Sequence, residues 1–211
     1  MICTADRYAW FPARYARLSR SYCLTLVADL PVPEVVRRLG GRDPVEMPGL
    51  AVVHDNAEKI AAGLPLELAR TTGELPREYA GFAGRLAHEH LVAIAPVNGW
   101  TLLVETRDFA GVDPDRAARL SRGVTLVAHS ASAAGRRFLW MYDGTMRLTF
   151  DPGDPASPEG PEREVQRPIL AEAGFPGTGP GPALAYADYL TGVRFDPETL
   201  VDAFYLCVTA P

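Results

Sequence analysis

Long apolar runs, paired cysteines and lysine are scarce in this chain, and each scarcity removes a class of protein. No stretch of ~18 apolar residues exists that could cross a bilayer as a helix. The opening "MICTADRYAWFPARYARLSR" sets arginines and aromatics where a signal peptide would carry a continuous apolar stretch, so the expected location is the cytosol. Cys3, Cys23 and Cys207 are odd in number, far apart and without C-x-x-C spacing. That excludes a disulfide framework and a zinc knuckle, and it fits a reducing compartment. Positive charge is short as well: 21 Lys and Arg against 26 Asp and Glu leave a formal net charge of −5. The broad basic footprint that nucleic acid or an anionic membrane requires is therefore missing, although a local arginine patch stays open. Lys59 is the only lysine, and together with abundant Ala, Gly and Pro this bias reflects a GC-rich genome rather than a function.

What remains is globular. With 211 residues, 47% hydrophobic and 22% charged, the chain suits one domain with a substantial core. Thr4 is placed to cap a first helix over about residues 5–19, which Pro12 must kink or divide. "SYCLTLVADL" follows as a buried strand, and "PVPEVVRRLGG" is a short helix with proline at its start and Gly40 at its stop. Residues 42–85 show no clear period between Pro and Gly breaks and are expected to be a helix and loop insertion. Two β-hairpins are then predicted, "LVAIAPV-NG-WTLLVET" turning at Asn98-Gly99 and "RRFLWMY-DG-TMRLTF" turning at Asp143-Gly144. A short helix in "DPDRAARLSRG" and a strand in "VTLVAHS" lie between them. Beyond the Pro/Gly-rich loops 151–163 and 174–183, helices are expected near 164–173, 183–190 and 197–207, the last two as a C-terminal helical extension 183–211. Strands in one block with helices at both ends predict a single α+β domain. Its core would span 20–175, with an antiparallel sheet of five or six strands flanked by N- and C-terminal helices.

Alternation of side chains across the first hairpin places His88, His90, Glu105 and Arg107 together at its open end, with His90 opposite Arg107. A metal reading would use the two imidazoles and the carboxylate. Arg107 opposes it, because a guanidinium across from His90 would repel a cation. A Glu105–Arg107 ion pair or a polar binding spot suits the cluster better, so neither metal nor cofactor is expected and no residue is assigned as catalytic. In the second hairpin the same rule puts Phe138, Trp140 and Tyr142 on one side, with Trp140 facing Arg147 in a cation–π contact. Leu139, Met141, Met146, Leu148 and Phe150 would form the opposite, core-facing side. An aromatic row containing an arginine has the composition of a binding hot spot. The competing expectation is that helices of the same chain cover the row, since large exposed apolar patches are uncommon.

Other signals fail. "RLGGRDP" and "GTGPGP" lack the strand, helix and G-K-[ST] ending of a phosphate loop. The serines of "AHSASAAG" have no nucleophile-elbow spacing. Asp151, Asp154, Glu159 and Glu162 depart from an EF-hand and read as a solvated loop.

The blocks "YCLTLVADLPVPEVVRRLGG", "GWTLLVETRDFAG", "ARLSRGVTLVAHSASAAGRRFLWMYDGTMRLTFDP" and "RPILAEAGF", taken in this order over about residues 20 to 175, resemble an actinobacterial family known as the domain of unknown function 6461. The resemblance implies a stand-alone cytosolic α+β domain from genomes rich in competition and defence genes, and it lends no catalytic residues. By analogy of class alone, small acidic proteins of this kind resemble immunity proteins that plug a toxin. The expected function is thus recognition of another protein, a basic toxin or effector, through the sheet face, without nucleic acid or membrane. The alternatives are a metal-assisted or hydrolytic enzyme at His88, His90 and Glu105, and a small-molecule sensor with its pocket between the sheet face and the 151–182 loop.

Overall fold

Eight strands join in one antiparallel sheet ordered β2-β8-β3-β4-β1-β5-β6-β7 in the computed structural model, which describes residues 4–62, 90–106, 109–154, 156–177 and 179–211. The strands are β1 Tyr22–Ala28, β2 Arg42–Pro48, β3 His90–Val97, β4 Trp100–Glu105, β5 Thr125–Ser132, β6 Gly135–Tyr142, β7 Thr145–Phe150 and β8 Phe204–Ala210. Among the described residues the α-helices are α1 Trp10–Arg14, α2 Val32–Leu39, α3 Leu50–Ala61, α4 Pro114–Leu120, α5 Arg163–Ala173, α6 Pro180–Thr191 and α7 Pro197–Val201. None of them is long and apolar enough to cross a membrane.

Local sequence explains most boundaries. Gly40 and Gly174 end α2 and α5 in the left-handed region, at φ 70° and 101°, which a residue without Cβ enters at no steric cost. Asp113 caps α4 by accepting from the Arg116 N–H at 2.9 Å, and a proline follows at the start of the helix. Both hairpin turns have the expected backbone, with positive φ at Asn98, Gly99, Asp143 and Gly144. The N-terminal helix is divided as its proline requires, into a 3-10 turn Ala5–Tyr8, then α1, then a second 3-10 turn Leu18–Arg20.

Two strands were not expected. The segment assigned to a helix and loop insertion, residues 42–85, begins with β2, and residues 204–207, assigned to a helix, belong to β8. β2 is an edge strand with two prolines, Pro44 and Pro48, and a register shift between Arg42 and Val45. Prolines and bulges of this kind suit an edge, where backbone donors need no partner. β8 lies between β2 and β3, so the end of the chain is an interior strand of the sheet.

Helices pack on both faces of the sheet. One face carries Tyr22, Leu24, Leu26, Ala93, Ala95, Leu102, Val104, Tyr205 and Cys207, covered by the N-terminal segment, α3, α6 and α7. The same side continues onto β6 and β7 beneath α5 and α6. The other carries Cys23, Val27, Val92, Ile94, Leu103, Leu126, Leu139, Met141 and Val208, covered by α2, α4 and the 3-10 turn Ala110–Val112. The sheet is therefore buried on both sides, and its strands read as continuous apolar runs rather than as alternations.

Candidate functional site

The first hairpin has the predicted register, with Val97 opposite Trp100, Ile94 opposite Leu103 and Ala93 opposite Val104. Its face of Ala93, Ala95, Val97, Leu102 and Val104 is core as expected. His88 and Arg107 lie outside the described residues, so the four-residue constellation and its His90–Arg107 pairing are not described as a whole. His90 is half-buried and pairs with Ala210 of β8. Glu105 is buried, pairs with Cys23 of β1, and accepts a hydrogen bond of 2.8 Å from the Gly111 N–H. Gly111 is confined: a Cβ there would stand 1.9 Å from Thr25 Oγ1 and 3.1 Å from both Cys23 Sγ and Glu105 Oε2. Burial, and then the charge of Glu105, push the Cys23 thiol well above its ordinary pKa, which leaves little nucleophilic thiolate. Among the described residues no group of three or more His, Cys, Asp and Glu side chains could hold a metal ion.

The second hairpin departs from the simple ladder. Tyr142 faces Thr145 and Met141 faces Met146, but a bulge then makes Trp140 face Leu148 and Phe138 face Phe150. Arg147 is the extra residue, so the predicted pairing of Trp140 with Arg147 does not form. Arg147 instead forms an ion pair with Glu162, whose own N–H donates to the Arg147 carbonyl at 3.2 Å. Glu162 thereby leaves the acidic loop read as solvated. The bulge has a packing cause. A sheet buried on both faces needs apolar residues on both sides of β7, and one inserted residue moves Leu148 and Phe150 to the side of Phe138 while Met146 stays with Leu139 and Met141.

Along the aromatic row, cover is graded. Phe138 is wholly buried, with ring centroids 5.1 Å from Phe150 and 4.9 Å from Tyr186 of α6. Trp140 is half-buried and packs against the buried cluster that includes Phe138, Leu170 and Tyr186, and Tyr142, at the turn, is 55% exposed. Two further apolar side chains are exposed on the covering helices, Val165 of α5 and Tyr189 of α6. Tyr189 stacks on Tyr186, which meets Phe138 of the row and whose hydroxyl donates to Gln166 Oε1 of α5 at 3.0 Å. α5 and α6 thus cover one end of the row and leave the other end open.

Cover of the row by helices of the same chain was the competing expectation, but Val165 and Tyr189 were not singled out, because they belong to segments distant from the hairpin in sequence. A cavity of 190 Å3 lies in the region where a pocket between the sheet face and the 151–182 loop was one expectation, but its lining residues were not singled out: Phe150, Pro152, Leu170 and Phe175, with Asp151 and Arg167 among its polar residues. The one available signal was the cluster of prolines and phenylalanines flanking the 151–176 loops. A model of a family of unknown function (DUF6461) matches residues 1–211, the whole chain. No curated protein and no solved structure matches it.

Proposed function

We propose, from the premise that the chain belongs to this family of unknown function over all of residues 1–211, that the protein is a binding module that recognises another protein at the open end of its aromatic row. The observation that carries this reading is that Tyr142 of the hairpin and Val165 and Tyr189 of the covering helices α5 and α6 are exposed apolar side chains, while Trp140 of the row is only half-buried. Aromatic rings on a hairpin and a packed helix are already ordered, so a partner gains contact area at little cost in rotamer entropy. A net charge of −5 favours a basic partner, because complementary charge speeds encounter and disfavours wrong pairings. A toxin or effector neutralised in the manner of an immunity protein is the partner class consistent with that charge. The test is affinity capture from the native host with wild type and with Tyr142→Ala/Tyr189→Ala. The double variant is expected to keep its melting temperature and to weaken partner binding by about 2 kcal/mol or more. Undiminished capture by the folded double variant would refute the reading.

The apolar cavity favours a second reading, a small-molecule sensor. Phe150, Leu170 and Phe175 supply an apolar wall, and Asp151 and Arg167 supply polar groups that could orient a ligand. Ligand-induced thermal stabilisation that is lost in Ala171→Phe, with protein capture unaffected, would select this reading over the first.

A further inference from the structure

We propose that Asn98 is a site of spontaneous covalent modification, where the exposed turn of the first hairpin converts a side-chain amide into an aspartyl or isoaspartyl carboxylate. The turn takes no part in the aromatic row, which lies on the second hairpin, and its chemistry is independent of the role proposed for that surface.

The reaction needs an asparagine whose following backbone nitrogen is open to approach, which a glycine without Cβ provides. The Gly99 nitrogen gives up its proton and attacks Cγ of Asn98. The new N–Cγ bond closes a succinimide ring while the Cγ–Nδ2 bond breaks, and Nδ2 takes up the proton and leaves as ammonia. Water then opens the ring. Attack at Cγ yields aspartate, and attack at the main-chain carbonyl yields isoaspartate, in which the chain continues through the former carboxamide carbon. Water is the sole co-reactant, and nothing is oxidised or reduced.

Two turns of the same chemical type are present, and the fold treats them differently. Asn98 and Gly99 are both exposed. Among the described residues the Gly99 N–H donates to no acceptor, and the Asn98 carboxamide makes no hydrogen bond. A Cβ on Gly99 would meet nothing within 4 Å beyond its own chain neighbours, so no other segment packs against the peptide that the Asn98 side chain must swing across. In the second turn the equivalent atoms are held. Asp143 Oδ1 accepts from the Gly123 N–H at 2.7 Å, and the Gly144 N–H, whose nitrogen would attack, donates to Ser121 Oγ at 3.2 Å. The Asp143 N–H donates to the Val124 carbonyl at 3.1 Å. Asp143-Gly144 can reach the same kind of succinimide by loss of water, but its reacting groups are engaged. Asn56, the other asparagine of the chain, is buried in α3 with its Nδ2 3.7 Å from Met47 Sδ.

Both products alter the hairpin. Each adds one negative charge to the net −5 of the chain, in the lining of an open groove of 610 Å3 that also includes Asp29, Pro31, Pro96 and Trp100. The aspartyl product keeps the turn, because Asp-Gly forms the same two-residue turn as Asn-Gly. The isoaspartyl product inserts a methylene into the main chain between two strands whose registers are fixed on their other sides, β3 by β8 and β4 by β1. The turn must absorb the added length, at the expense of the Val97–Trp100 pair that closes it.

Peptide mapping of the full chain, aged in mildly alkaline buffer with and without guanidinium chloride, tests the assignment. Asn98→Gly is the reference, because Gly-Gly supports the same turn and offers no carboxamide. In the folded chain, Asn98 is expected to convert to both acid products at a rate within tenfold of that in denaturant. Isomerisation at Asp143 is expected to be slowed more than tenfold by folding. Asn98→Gly is expected to release no ammonia on the same timescale. Intact Asn98 persisting in the folded chain while the denatured chain converts would overturn the proposal. So would equal protection of the two turns by folding, or undiminished ammonia release from Asn98→Gly. The isoaspartyl fraction, separated by ion exchange, is expected to melt below the intact chain while Asn98→Asp melts with it, and equal melting of the isoaspartyl and intact chains would overturn the loss of turn closure.

Discussion

His129 of β5 is an ionisable residue set where it cannot ionise. Its ring stacks on Phe138 at 6.1 Å and meets the edge of Tyr22 at 5.4 Å. Neither ring nitrogen has a hydrogen-bond partner, and burial pushes its pKa down to about 3. From the ordinary pKa near ~6.5 down to about 3, the unfolded chain takes up a proton that the native state refuses. Stability is therefore complete above that ordinary pKa and is lost as the pH falls below it, by on the order of 5 kcal/mol in total. His129→Phe is expected to flatten the acid limb of a denaturation series between pH 6.5 and 4, whereas an unchanged limb would show that other groups drive acid unfolding. Gly111 is the second residue whose identity the interior dictates. Gly111→Ala would push a methyl carbon against Thr25 Oγ1 and is expected to cost about 2–3 kcal/mol in urea denaturation. Thr25→Ala should restore part of that loss in the double variant, because the two side chains occupy the same space.

At the scale of elements, the aromatic row of β6 makes a graded forecast. Phe138→Ala is expected to cost about 4 kcal/mol of folding stability, as deletion of a fully packed ring does. Trp140→Ala, half-covered by α5 and α6, is expected to cost roughly half as much, and exposed Tyr142→Ala to stay within ~0.5 kcal/mol. Thermal and urea unfolding of the three variants checks the order, and equal losses at Phe138 and Tyr142 would contradict the helical cover. The bulge at Arg147 belongs to the same arrangement. Gly160 approaches the Arg147 carbonyl so closely that a Cβ would lie 2.4 Å from that oxygen, and Thr149 exchanges two backbone hydrogen bonds with Glu159. The segment before α5 thus covers the outer edge of β7, which would otherwise offer unpaired donors and acceptors to another chain.

For the whole molecule, the position of β8 has the largest consequence. It pairs with β2 through Phe204–Pro48 to Thr209–Arg42 and with β3 through Leu206–Ile94 to Ala210–His90. It contributes Tyr205 and Cys207 to one core cluster and Val208 and Ala210 to the other. Removal of residues 203–211 would leave β2 with no neighbour in the sheet and open both clusters at once. The truncated chain is expected to lose its cooperative thermal transition. A cooperative melt within a few degrees of the full chain would mean that β2 and β8 are accessory to the fold.

Local chemistry made much of this architecture legible. The turn pairs Asn98-Gly99 and Asp143-Gly144, the stops at Gly40 and Gly174, the proline-led starts of α2 and α4, and the first hairpin's register all follow from short-range backbone preferences that neighbouring residues cannot cancel. The two added strands were not legible in the same way. β2 carries prolines and charges that an edge tolerates and an interior does not, and β8, "FYLCVTA", is an apolar run whose periodicity does not separate a buried strand from a helix. Pairing with a distant segment decided both. The register of β7 was decided by burial on both faces of the sheet, which made a one-residue bulge at Arg147 the arrangement that placed Leu148 and Phe150 beneath Phe138. The candidate sites divide along the same line. Residue types that suit recognition can be read from a sequence, but the burial of Phe138 against Tyr186 and the exposure of Tyr142, Val165 and Tyr189 are properties of packing between segments, and only the tertiary structure sets them.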